Sequence, residues 1–262
     1  DSPPISIIIE TLLTIIEICS KDLNLLLNIP PSEKLTCVKF KINIILCLEK
    51  LISKSRKEKI DKVLSRRTRY IAVLLENIYQ SHNLSAVIRT CDNLGIQDIY
   101  TIKSEKIKNS GKNVSLGAEK WVSIKSKNKD EKLFDYLNKI KKNGYKIVGT
   151  STVKNNISCD ITDLKLDEKL IFAFGNEEKG LSKDFIKQCD HIISIPMYGF
   201  AQSYNISVSC AIVLSNIIFK IRKSKKSIFL SKNEKEEIRN EWIKNSICLL
   251  YTSDAADDRD SV

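Results

Sequence analysis

Five polar side chains stand where an apolar core has no use for them. Asn83 and Arg89 lie in "SHNLSAVIRTCDNLG", Glu177 in "FAFGNEEKGLS", and Ser203 and Asn205 in "SYNISVS", just ahead of a long apolar run. An amide, a guanidinium, a carboxylate and a hydroxyl at the ends of elements suit the holding of a polar or anionic ligand. Arg89 falls between Ile88 and Thr90, two turns into an apolar stretch. That position predicts a buried guanidinium with an anionic partner. Each feature also has a plain alternative. Asn83 stands where a helix N-cap belongs, and Ser203, Asn205 and Ser207 suit an ordinary capped helix.

Other chemistries are excluded by spacing. The turn framed by Gly175 and Gly180 is neither G-x-G-x-x-G nor G-x-x-x-x-G-K-[ST], so it predicts neither a Rossmann dinucleotide site nor a P-loop. The eight cysteines, Cys19, Cys37, Cys47, Cys91, Cys159, Cys189, Cys210 and Cys248, form no C-x-x-C pair, and the histidines are His82 and His191 alone. No closed zinc site is expected, and the scattered thiols read as reduced core residues of a cytosolic protein.

The elements that must position these side chains alternate between strand and helix, which predicts an α/β domain with a parallel sheet. Strands are expected at 71–75, 99–102, 121–124, 146–150, 170–174 and 191–195. Helices are expected at 84–94, closed by Gly95, and at 132–142, 182–188 and 203–221. Ahead of them, 54–69 carries Lys54, Arg56, Lys57, Lys59, Lys62, Arg66, Arg67 and Arg69 along a stripe of Ile60, Val63 and Leu64. It is expected to be a basic amphipathic helix ending near Arg67. It serves either as a solvated face or as a footprint for a phosphate backbone. A formal net charge of +11, from 43 basic and 32 acidic residues, favours the footprint.

Residues 1–53 read as an all-helical N-terminal extension. Its apolar run Ile5–Ile18 has 14 residues and is broken by Glu10 and Glu17. A membrane span needs about 20 apolar residues, so no membrane association is expected. Residues 223–247 read as a charged connection and a final helix. The segment 248–262, "CLLYTSDAADDRDSV", resembles translated sequencing-adapter text and is set apart from the fold.

The order and spacing of the three loops resemble the three motifs of the SpoU family of RNA 2′-O-ribose methyltransferases, within the SPOUT superfamily. The likeness covers roughly 59–221. It is nearest to the TrmH-type branch that acts on guanosine 18 of tRNA, a likeness carried by the basic helix, "GAEKWV" at 117–122 and "IPMYGFAQSYNISVS" at 195–209. The resemblance implies a parallel sheet with helices on both faces and a C-terminal trefoil knot, occupying 70–222. It implies a homodimer through the long last helix, and a cytoplasmic enzyme that methylates tRNA with S-adenosylmethionine and no metal.

Residue by residue, the resemblance makes Arg89 the catalytic arginine acting on the ribose hydroxyl. Asn83, Glu177, Ser203 and Asn205 would complete the site. Thr150, Gly175, Ile195, Met197 and Tyr204 would hold the cofactor, and Arg66, Arg67 and Arg69 the RNA. Family members usually have Gly where Glu178 stands and Leu where Tyr204 stands. Ribosomal RNA is the rival substrate, and a non-enzymatic RNA-binding relative is the rival class. The joint presence of Asn83, Arg89, Glu177, Ser203 and Asn205 favours the enzyme.

Overall fold

Strand β1, Ile71–Glu76, is buried along its whole length because both of its faces are covered. Successive strand residues point to opposite sides. Ile71, Val73 and Leu75 enter one core with Val87, Ile88 and Cys91, and with Cys210, Val213 and Ile217. Ala72 and Leu74 enter a second core with Tyr136, Leu137, Ile140, Leu181 and Phe185. Each fully buried Ile, Val or Leu contributes about 1.5–3 kcal/mol, so the two-faced pattern itself fixes the strand at the centre of the sheet. This computed structural model describes residues 45, 48–78, 80–102, 117–152, 158–224 and 227–251. The Ile5–Ile18 run and almost all of the N-terminal extension lie outside them. Among the described residues no helix is long and apolar enough to cross a membrane.

Six helices, α1 to α6, and six further strands, β2 to β7, accompany β1 among the described residues. Helix α1, Lys54–Leu64, precedes β1; α2, Ser81–Leu94, and β2, Asp98–Ile102, follow it. A 3-10 turn at Ala118–Lys120 leads to β3, Ser123–Ser126; then come α3, Leu133–Lys142, β4, Tyr145–Thr150, and β5, Ser158–Asp160. Next are β6, Lys169–Phe174, α4, Lys183–Ile186, β7, His191–Ser194, α5, Ile206–Lys223, and α6, Lys232–Tyr251. The seven strands lie in the order β3-β2-β1-β6-β4-β7-β5, and every pairing is parallel. The expected parallel sheet with helices on both faces is therefore present. The strand order reverses between β1 and β6, the place in an open parallel sheet where the loops at the strand C-termini part and leave a crevice.

The described residues fall into two compact units, those up to Leu64 with those from Ser231 on, and Ser65–Leu230. In the first unit Leu48, Ile52, Ile243 and Ile247 share a small core, and Arg239 holds Glu49 at 2.7 Å and Asp61 at 2.8 Å. Several sequence expectations shift here. The basic helix ends at Leu64 rather than near Arg67, because Thr68 bridges to Ile96 at the start of the second unit. Val63 is exposed, and the buried stripe is Ile60 and Leu64. The third strand begins at Ser123, since Trp121 closes the 3-10 turn by donating to the Ala118 carbonyl. The short edge strand β5 has no alternating pattern to announce it. Helix α6 continues to Tyr251, four residues into the segment set apart on sequence.

Candidate functional site

Three loops converge at the C-terminal ends of β1, β6 and β7, and each is shaped by a local rule. The β1–α2 loop passes through Asn77, a non-glycine residue at φ 55°, a conformation that asparagine tolerates better than most. Helix α2 then starts at Ser81, with Gln80 as N-cap. Asn83 is therefore not the cap expected from its position. It lies within the first turn, 2% exposed, and its side chain is aimed at the other loops. Gly95 closes α2 in the left-handed region, φ 77°, where a Cβ would stand 2.7 Å from the Arg66 carbonyl oxygen.

Asn83 is the junction of the site. Its Nδ2 donates to Glu177 Oε1 at 2.7 Å and to Gln80 Oε1 at 2.9 Å. Its Oδ1 accepts from Asn205 Nδ2 at 3.1 Å. Asn176 Nδ2 donates to the other carboxyl oxygen of Glu177 at 3.3 Å. Asn205 is the N-cap of α5, its Oδ1 accepting from the Ser207 N–H at 2.8 Å and the Ser207 hydroxyl at 2.6 Å. That capping is why α5 begins at Ile206 and not at Ser203. One amide thus ties together side chains from all three loops. A buried amide that makes its hydrogen bonds to specific partners fixes their relative placement more firmly than apolar contact does.

Beside this junction a cavity of about 510 Å³ opens among the ends of β4, β6 and β7. Thr150, Gly175, Ile195, Met197 and Tyr204 all line it, as do Glu177 and Ser203. Its wall combines Phe174, Ile193 and Ile206 with Ser151 and Ser209, and Lys179 and Lys183 stand with Glu178 on its turn side. The volume is that of an ordinary small-molecule or cofactor site. Gly175 is required for a different reason from open space for a ligand. A Cβ there would lie 2.0 Å from the Gly180 carbonyl carbon and 2.1 Å from the Leu181 nitrogen. The turn closes on itself through Asn176 and Gly180, whose backbones exchange hydrogen bonds at 3.0 and 2.8 Å.

Two expectations are corrected by burial. Arg89 is exposed and pairs with no acid among the described residues. Neighbours in a helix diverge by about 100°, so burial of Ile88 says nothing of Arg89. It does not line the cavity. Arg67 is the reverse case. It is fully buried, its guanidinium is paired with Asp92, and Nη1 donates to the Ile96 carbonyl at 3.3 Å. It is structural and offers no charge to RNA. Burial lowers its pKa, and Asp92 works against that shift. Arg69 lies 3.4 Å from the buried Asp98, while Arg66 is exposed. The half-buried Asp92 that pairs with Arg67, and the buried Glu76 described below, gave no sequence signal, because nothing in the local pattern marks those acids as partners of interior groups.

A parallel α/β fold with a cleft at the C-terminal ends of β4, β6 and β7, and with polar side chains from three loops at its edge, is the framework of a group-transfer enzyme. A family model, the SpoU rRNA Methylase family, matches residues 70–215, and the chain belongs to that family. The tRNA (guanosine(18)-2'-O)-methyltransferase of Borreliella burgdorferi is 37% identical over 200 residues, covering 76% of this chain and 89% of that protein. The crystal structure of the A. aeolicus TrmH/SpoU tRNA modifying enzyme overlays 77% of this chain and 98% of its own, with a TM-score of 0.65 and 29% identity. The SpoU methyltransferase AviRb from Streptomyces viridochromogenes, in complex with AdoMet, shares the fold at a TM-score of 0.52 and 21% identity. It covers 63% of this chain and 62% of its own.

Proposed function

We propose that the protein is an S-adenosylmethionine-dependent tRNA (guanosine-18-2′-O)-methyltransferase. The observation that carries this is the convergence of all five expected cofactor residues on one cavity whose wall includes Glu177, itself held by Asn83. The residues fit the group. Apolar Phe174, Ile195 and Met197 suit an adenosine, Glu177 and Glu178 suit a positively charged sulfonium, and Lys179 and Lys183 suit a carboxylate. The tight Gly175 turn brings backbone to the wall where a side chain has no room. S-adenosylmethionine, when bound, supplies an electrophilic methyl group and leaves as a neutral thioether.

The chain's own residues must then make a poor nucleophile reactive. A ribose hydroxyl attacks only with its proton leaving and its developing charge stabilised. Arg89 serves as the electrostatic stabiliser of that oxygen, since a guanidinium with a pKa above about 12 is no base at neutral pH. The hydroxyl proton passes to a phosphate oxygen of the RNA. Asn83 and Asn205 hold Glu177 and the two later loops in register, which keeps nucleophile and methyl group in line.

Further features support the remaining parts of the proposal. Val208, Ile212 and Phe219 are exposed on α5, spaced so as to fall along one side of the helix, which suits a homodimer. The resemblance to SPOUT enzymes carries the trefoil knot, and a tRNA substrate carries the cytoplasmic location. For RNA contact, Arg66 is the exposed member of the trio that included Arg67. The deciding experiment is incubation with labelled S-adenosylmethionine and separate unmodified tRNA and rRNA pools, with mapping of the product. Label in the ribose of tRNA guanosine 18 is expected; label confined to rRNA would overturn the substrate.

A further inference from the structure

Glu76 ends β1 and is 3% exposed, a buried acid outside the Asn83 junction. Both its carboxyl oxygens are spent on one residue. Oε2 accepts from the Ser182 N–H at 2.8 Å, and Oε1 accepts from the Ser182 hydroxyl at 2.7 Å. Ser182 Oγ in turn accepts from the Phe185 N–H at 3.2 Å, capping α4. Ser182 is the first residue after the turn Gly175–Leu181. The last residue before that turn, Phe174, pairs with Leu75 across the β1–β6 ladder. Inside the turn, Asn176 Nδ2 donates to the Asn77 carbonyl at 3.3 Å. Three successive residues, Leu75, Glu76 and Asn77, therefore hold the strand before the turn, the residue after it, and Asn176 within it beside Glu177.

The cap on α4 needs only the Ser182 hydroxyl and not a buried acid behind it. Burying a carboxyl group costs free energy unless its oxygens are satisfied. Here both are satisfied by a single residue between Leu181 and Lys183, which line the cavity, and that is the arrangement expected of a clamp. We propose that Glu76 is a positioning residue for the methyl-donor pocket. Through Ser182 it sets where the turn Gly175–Leu181 stands against the cavity, and so the wall formed by Asn176, Glu177 and Lys179. Glu76 does not line the cavity itself and acts only through Ser182. The inference rests on the cavity being the S-adenosylmethionine site.

The test is calorimetric titration of S-adenosylmethionine into the full chain and into Ser182→Ala, Ser182→Thr, Glu76→Gln and the double variant Glu76→Gln/Ser182→Ala. Thermal melts are recorded alongside. Ser182→Ala is expected to raise Kd about tenfold, the worth of a hydrogen bond to a charged group. Ser182→Thr, which keeps the hydroxyl, should restore it. Glu76→Gln should weaken binding comparably, because an amide has one acceptor atom in place of two. The double variant should be no weaker than the worse single one, since both changes break the same contact. At saturating cofactor, kcat should fall far less than Kd rises. Folded variants that bind with the wild-type Kd would overturn the inference, as would Ser182→Thr binding as weakly as Ser182→Ala. Should Glu76→Gln fail to fold, the two Ser182 variants decide alone. A wild-type chain that binds no S-adenosylmethionine would instead overturn the assignment of the cavity.

Discussion

At the scale of single residues, exposure decides what each substitution reads. Arg89→Ala removes an exposed side chain without an acid partner among the described residues. The melting temperature and cofactor binding should hardly move, while kcat should fall about 100-fold or more, as for loss of one preorganised charge donor. Retention of more than about a tenth of wild-type kcat in a labelled methyl-transfer assay would remove Arg89 from the mechanism. Gly175→Ala should do the opposite. Its Cβ would overlap the Gly180–Leu181 backbone, so the turn must open and S-adenosylmethionine binding should be lost before any chemistry is tested. A Gly175→Ala protein with the wild-type Kd would show that the turn yields without reshaping the pocket.

At the scale of elements, the short connection between α1 and β1 separates two arginines adjacent in sequence. Arg67→Ala leaves Asp92 without its partner inside the second unit. Losing the buried guanidinium and its hydrogen bonds is expected to cost about 1–3 kcal/mol, visible in urea denaturation, with the salt dependence of tRNA binding unaltered. Arg66→Ala should leave stability unchanged and flatten the log–log salt slope by about 0.7–0.9 units, the share of one phosphate contact. Equal effects of the two variants on both measurements would refute the division. The loops and caps work at this scale too. The Asn205 cap and the Ser182 cap each begin a helix at the edge of the site, so local backbone rules place the side chains beside them.

At the scale of the whole molecule, buried thiols give stability a dependence on pH. Burial, with Asp190 adding to it, pushes the Cys189 thiol up to about 12 from its ordinary 9.0. Burial and a hydrogen bond with Cys91 raise Cys210 as well. Above pH 9 the unfolded chain loses protons that the folded chain keeps. The stabilisation is therefore complete below pH 9 and lost as pH rises towards 12, at about 1.4 kcal/mol per pH unit for each retained proton. Thermal melts should fall steadily between pH 9 and 11, less steeply for Cys189→Ala. A flat profile would show that the thiols titrate alike in both states. The association of chains belongs to this scale as well. Phe219→Asp on the exposed side of α5 should shift sedimentation from dimer to monomer. A monomeric wild type would place the exposed stripe in another role.

By itself, the sequence determined the alternation of elements, the position of nearly every strand, and the three loops that carry the site, because hydrophobic period and turn residues are local properties. It also carried the five cavity residues, through likeness of motif rather than through any physical pattern. Tertiary structure decided which polar residues are inside. Arg67 is buried and Arg89 exposed, the reverse of what their neighbours suggest, since burial depends on which face of an element meets a distant one. The clasp of Asn83 with Glu177 and Asn205, and that of Glu76 with Ser182, each join residues about a hundred positions apart. The pairing of β1 with β6 brings Glu76 and Asn83 to the turn after β6, the packing of α2 against α5 brings Asn83 to Asn205, and no spacing along the chain records either.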